Sequence, residues 1–280
     1  MVNPGECVEK KNKFEIRGKT LDDKIVVDSL NAVSTLTDKE PYCVVGGIAT
    51  QTYVTSGFRR STSDVDLSVG MPLNYTQFQK LFAPVVEYLR DHHYSVSFKK
   101  GSRAYALHVL GPEGEREIIE ASRRNEAAFS ANENRLMREI QNARRKIVNG
   151  GDGLTVVIAA AEDIILPKSM RTVNSMKRNQ GFVSRFGKNA MDYAANGARQ
   201  VLDAIEHLRE EALLNVGDPR LAEELRFDSD IYDIRCLSTM AGINPQYLRN
   251  AFSSWEALRE QSPERDTAVR TLLPSFHLDA

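Results

Sequence analysis

The stretch that most constrains this chain is residues 42–69, YCVVGGIATQTYVTSGFRRSTSDVDLSV. Tyr42 to Val45 is a short apolar run that stops at Gly46-Gly47, the form of a buried strand entering a tight turn. Glycines reach positive φ and carry no Cβ, so a phosphate can approach the backbone N–H groups there. Ile48 to Thr55 reads as a short helix whose N-terminus points free N–H groups the same way. Gly57 ends it, and Arg60-Ser61-Thr62-Ser63 leads into Asp64-Val65-Asp66-Leu67-Ser68-Val69. Residues two apart in a strand share a face, so Asp64 and Asp66 stand side by side while Val65, Leu67 and Val69 turn to the core. Two carboxylates held together rise in pKa unless a cation neutralises them. Oxygen donors suit a hard divalent ion, Mg²⁺ or Mn²⁺.

This order (strand, Gly-Gly, short helix, then Arg-x-Thr-x-Asp-x-Asp-Leu on a second strand) resembles the nucleotidyltransferase (DNA polymerase β-like) superfamily in its minimal bacterial and archaeal form. The resemblance implies that Asp64 and Asp66 carry two metal ions, and that Gly46, Gly47, Arg60 and Thr62 hold the triphosphate of an NTP. It implies an α/β (α+β) fold, a small mixed β-sheet with flanking helices, followed by a helical C-terminal domain that closes the cleft. A third carboxylate is expected on a neighbouring strand, where the sequence offers Glu117 and Glu120 in EREIIEA, residues 115–121. Glu117, directly before Ile118-Ile119, fits the apolar-flanked position as third ligand and general base. Glu120 is the second candidate, and strict alternation puts the two on opposite faces.

Composition narrows the alternatives. A formal net charge of −1 announces no nucleic-acid partner, so any such binding comes from a local patch. Cys7, Cys43 and Cys236 are odd in number and widely spaced, which argues against a disulfide framework and a zinc site. No run approaches the roughly 18 apolar residues of a membrane span, and no signal-peptide pattern opens the chain; a cytoplasmic protein is expected.

Along the chain, residues 21–36 have helical apolar spacing, and Asn74 caps a helix over 75–92 that Pro84 should kink or split. His92-His93 suits a polar helix end better than a metal site, because helix neighbours point apart. Strands are expected at 94–99, 103–110 and 115–121. Residues 123–150 read as mostly helical and basic, with Arg135, Arg138, Arg144, Arg145 and Lys146 forming a solvated face or part of a nucleic-acid groove. The Gly-rich run 149–153 reads as a linker, dividing a catalytic domain (1–150) from a mainly helical one (151–280). Further helices are expected at 221–225 and 231–240.

The run Ala161-Glu162-Asp163-Ile164-Ile165-Leu166-Pro167-Lys168 resembles a segment of the abortive-infection (AbiEii-type) nucleotidyltransferase toxins. That resemblance matches Lys168, Arg178, Lys188 and Asp192 to its nucleotide-binding positions, with Pro167 and Asn189 departing from the usual pattern. It implies an RNA acceptor, tRNA ends above all, and an antitoxin partner. The rival readings are a small-molecule acceptor, as in antibiotic nucleotidyltransferases, and a non-catalytic nucleotide or RNA binder of the same fold.

Overall fold

The computed structural model describes residues 20–36 (except 22), 41–111 (except 63), 114–147, 155–178, 197–254 (except 216) and 267–278 (except 268 and 271). The expected linker at 149–153, Lys188, Asp192 and the side chain of Arg178 lie outside the described residues. The chain divides into two compact units, one of residues 1–52 with 61–160, the other of residues 53–60 with 161–280.

The first unit is a mixed seven-stranded sheet ordered β3-β4-β5-β2-β1-β7-β6. Its strands are β1 (Tyr42–Val45), β2 (Val65–Val69), β3 (Ser95–Lys100), β4 (Ala104–Gly111), β5 (Gly114–Ser122), β6 (Arg144–Ile147) and β7 (Thr155–Ile158). β5 runs parallel to β2, and β7 parallel to β1, while the other neighbours are antiparallel. Helix α1 (Lys24–Val33) buries Val26, Leu30 and Val33, the apolar spacing seen in the sequence. α2 (Gly46–Gln51) follows β1 directly and is shorter than expected.

Pro84 splits the expected 75–92 helix. α3 (Tyr75–Leu81) starts on a capping box in which Asn74 accepts from the Gln77 N–H and the Gln77 side chain accepts from the Asn74 N–H. Such caps are worth about 0.5–2 kcal/mol. α4 (Ala83–Asp91) takes Pro84 in its first turn, where a missing N–H costs nothing. Phe78, Phe82, Val85 and Leu89 from the two helices are fully buried. His92 stacks on Tyr88 with ring centroids 4.1 Å apart, and His93 at φ 66° ends the helix.

One stretch departs from the sequence expectation. The basic run is not one helix: α5 (Glu126–Ser130) and α6 (Glu133–Gln141) give way to strand β6, which puts Arg144, Arg145 and Lys146 on the sheet's edge. Charged residues on an edge strand discourage pairing with other chains. Thr155–Ile158, a β-branched run, is β7; it pairs with β1 and places Val156 and Ile158 in the first unit's core.

The second unit is helical: α7 (Ala161–Arg178), α8 (Ala198–Leu214), α9 (Pro219–Met240) and α10 (Pro245–Ser253). α9 is one 22-residue helix where two were expected. Its middle, Asp228-Ser229-Asp230, reads as a breaker, yet all three residues are buried. Gly242 at φ 66° turns the chain into α10, whose Asn244 side chain accepts from the Gln246 and Tyr247 N–H groups. Among the described residues, no helix is long and apolar enough to cross a membrane.

Candidate active site

The sheet register lines up one row of residues across five strands. Val45 on β1 stands opposite Asp66 on β2, Asp66 opposite Glu120 on β5, Glu120 opposite Ala106 on β4, and Ala106 opposite Lys99 on β3. Directly opposed residues share a face, so Asp66, Glu120, Ala106 and Lys99 project from the same side. The apolar residues between them, Val65, Leu67, Ile119 and Leu107, are buried on the other side.

Alternation alone would send Glu117 away from Glu120. Instead, the pairing of β4 with β5 shifts at Leu107/His108: Leu107 opposes Ile119, but His108 opposes Glu117, leaving Ile118 as an extra residue. A β-bulge of this kind reverses the parity of everything beyond it. Glu117 is thereby returned to the face of Glu120, and the expectation that the two lie on opposite faces is corrected. Oxygens of Asp64, Glu117 and Glu120 all lie within 4.8 Å of one another. Asp66 is not a member of that converged trio, although it shares the row with Glu120.

Asp66 is placed by glycine. Gly46 has φ 71°, a conformation that favours glycine, and a Cβ built on it would lie 1.8 Å from Asp66 Oδ2. A Cβ on Gly47 would likewise meet Thr62 Oγ1 at 2.2 Å. The two glycines therefore admit the Asp66 and Thr62 side chains against the first turn of α2, where a carboxylate sits favourably against the helix dipole.

The trio concentrates acidic charge. Burial first, then the Asp64 and Glu117 carboxylates, push the Glu120 carboxyl up to about 7. Three acidic oxygens converging on one point, one of them buried with Asp64 only 8% exposed, fit a hard divalent ion such as Mg²⁺ or Mn²⁺. His108 Nε2 lies 3.2 Å from Glu117 Oε2 and orients that carboxylate. Glu115 accepts from Ser97 Oγ at 3.1 Å and pairs with Lys99 Nζ at 2.6 Å.

The cations expected on the nucleotide occupy a different environment. Arg60, in the second unit, donates from Nε and Nη2 to the two Asp233 oxygens at 2.7 and 2.6 Å. Lys168 Nζ lies 2.6 Å from Asp233 and 3.3 Å from Asp230, and is 2% exposed. Arg171 grips Asp230 with two hydrogen bonds at 2.8 and 2.7 Å. Burial alone would raise the Asp230 carboxyl, but the charges of Lys168 and Arg171 hold it below its usual range. Glu162 and Asp163, the acidic start matched to the toxin segment, bind α10 instead: Glu162 accepts from the Asn244 N–H at 2.7 Å, and Asp163 from the Tyr247 hydroxyl.

The basic run contributes less free charge than its composition promised. Arg135 Nη1 lies 3.6 Å from Glu139, which also accepts from Ser68 Oγ at 3.0 Å. Sequence reading did not foresee the roles of Asp230 and Asp233. The only available signal was the i, i+3 spacing of two aspartates on an apolar helix face.

Several solved structures align with this chain at low identity. An antigenic nucleotidyltransferase-like protein from Paracoccidioides brasiliensis aligns over 89% of this chain and 93% of its own, with 16% identity and a TM-score of 0.40. Terminal uridylyl transferase 4 from Trypanosoma brucei, with bound dUTP, aligns over 93% and 85% at 14% identity, TM-score 0.25. The CD-NTase CdnG of Bradyrhizobium diazoefficiens, in complex with GTP, aligns over 99% of both chains at 12% identity, TM-score 0.24. No protein-family model and no curated protein matches the sequence.

Proposed function

We propose that the protein is a metal-dependent nucleotidyltransferase that moves a nucleoside monophosphate from an NTP to an acceptor hydroxyl, RNA ends such as those of tRNA being the acceptor. The observation that carries this reading is the convergence of Asp64, Glu117 and Glu120 within 4.8 Å, beside Asp66 on the same sheet face. The nucleotide part rests on the resemblance of residues 42–69 to the superfamily, and the RNA part on the looser resemblance around Lys168.

Asp64, Glu117 and Glu120, with Asp66 adjoining, would hold the divalent ions. When bound, these neutralise the phosphates and lower the pKa of an oxygen they contact. The chain's own groups do the rest. The acceptor oxygen forms a bond to the α-phosphorus, the bond from that phosphorus to the bridging oxygen breaks, and pyrophosphate leaves. The hydroxyl proton passes to a carboxylate, for which Glu117, in contact with His108, is the residue proposed. Catalysis of this kind is mostly positioning and charge neutralisation, which a rigid sheet face supplies.

The test incubates the protein with each labelled NTP, Mg²⁺ and total RNA, and identifies the labelled molecule. Labelled RNA, with pyrophosphate released in equal amount, is the expected result. Label on a small molecule moves the acceptor, and label on nothing with any NTP overturns the reading.

A further inference from the structure

Beside the carboxylate trio, the same sheet face opens into a cavity of about 460 Å³ that belongs wholly to the first unit. Its size is that of a small-ligand site. The register explains why it exists. On β4 the residues facing this side between Glu120 and Lys99 are Ala104 and Ala106, so the row of side chains is interrupted by two methyl groups. Glu117 and Glu120 line it from β5, and Lys99 and Arg103 line it from β3 and the β3–β4 turn. With strands about 4.8 Å apart, Lys99 stands two strands, on the order of 10 Å, from Glu120.

The two pairs of charges have different standing. Glu117 and Glu120 would be taken up by the cations of the transferase reading, and Glu115 and Lys99 pair with each other at 2.6 Å. Lys100, the neighbouring cation, turns to the ring of Tyr75, 5.9 Å from its centroid. Arg103 has no ion-pair partner among the described residues, and Lys99 keeps a side chain 44% exposed. Once divalent ions compensate the acidic wall, the cavity presents cations to its occupant at one end and the reacting carboxylates at the other.

We infer that this cavity takes the acceptor, and that the acceptor carries a phosphate one unit away from its reacting hydroxyl, bound by Arg103 and by Lys99, whose ammonium exchanges Glu115 for the phosphate. The inference rests on the nucleotidyl-transfer reading and names the substrate class of that site. Ala104 and Ala106 floor the space between, where a sugar fits. A phosphate ester of this kind comes either from the end of an RNA chain or from a free nucleotide. A cationic acceptor meets the wrong charge at the Arg103 end.

The experiment uses the full chain with Mg²⁺ in two measurements. The first is transfer from labelled NTP to a single-stranded RNA oligonucleotide, a free nucleoside monophosphate or an aminoglycoside. The second is binding of a fluorescent form of that oligonucleotide without NTP, at two salt concentrations. Lys99→Ala/Arg103→Ala is expected to weaken oligonucleotide binding at least tenfold and to flatten its salt dependence, because fewer phosphate contacts release fewer counterions. Ala106→Leu, which fills the cavity without changing charge, is expected to abolish transfer to the oligonucleotide while the Mg²⁺-induced rise in Tm persists. Transfer to the nucleoside monophosphate alone assigns the phosphate to a free nucleotide; transfer to the oligonucleotide assigns it to RNA. Unchanged binding and transfer in both variants, or preferred transfer to the aminoglycoside, overturns the inference while leaving the transferase reading standing. Wild-type protein that transfers to nothing, and whose Asp64→Asn variant behaves identically, overturns the reading beneath it.

Discussion

Asp66 and Glu120 stand directly opposite each other in the parallel pairing of β2 with β5, two carboxylates on one face of adjacent strands. Asp64 and Glu117 adjoin Glu120 from either side of that pairing. Without a cation, this arrangement costs stability, and its consequences are measurable.

Metal and pH should act on stability through Glu120. Its carboxyl is raised from 4.5 to about 7 in the folded protein. A raised acid binds its proton more tightly when folded, so metal-free stability should decline as pH rises from about 4.5 to 7. Mg²⁺ should reverse the decline, by about 2.7 kcal/mol at a hundredfold excess over its Kd. Glu120→Gln should be more stable than wild type at pH 8 without metal and should gain nothing from Mg²⁺. Thermal unfolding with and without EDTA reads both outcomes.

Both glutamates should matter to turnover. Because the bulge at Ile118 brings Glu117 and Glu120 to one face, Glu117→Gln and Glu120→Gln should each lower transfer by at least about a hundredfold. A variant at either position that keeps full turnover would remove that residue from the site.

Gly46 should be intolerant of a side chain. A Cβ there clashes with Asp66 Oδ2 at 1.8 Å and occupies a left-handed backbone conformation. The backbone alone costs roughly 1–2 kcal/mol, so Gly46→Ala should lower the unfolding free energy by more than that. Asp66→Ala should recover part of the loss in the double variant, because it removes the nearest clashing atoms. Additive losses in a double-mutant cycle would contradict the contact.

In the second unit, Asp233 neutralises both Arg60 and Lys168. Breaking a buried pair by removing one partner costs about 3–5 kcal/mol, and Asp233→Ala should lose stability of that order by urea unfolding. The Asp230 carboxyl, held below its usual 3.8, contributes stability present above that value and lost as pH falls through the lower folded one. Asp230→Asn should therefore show a flatter stability profile below pH 4 than wild type does.

The elements that the sequence determined are those built on local rules. Alternation in 64–69 specified β2 and the shared face of Asp64 and Asp66, Asn74 and Pro84 fixed where α3 begins and α4 restarts, and Gly-Gly after an apolar run located the turn into α2. What the tertiary structure decided lies where a neighbour overrides the local signal. The bulge at Ile118 exists in the pairing with β4, so no parity count along β5 could reveal that Glu117 and Glu120 converge. Arg144 to Ile147 became a strand because β7 offered a partner, against a helical reading of the same residues. Asp228-Ser229-Asp230 continues a helix through a composition that breaks helices, because Lys168 and Arg171, some sixty residues away, neutralise the buried Asp230. Sequence periodicity records the solvent and core sides of each segment, whereas burying a charge depends on which opposite charge the fold delivers to it.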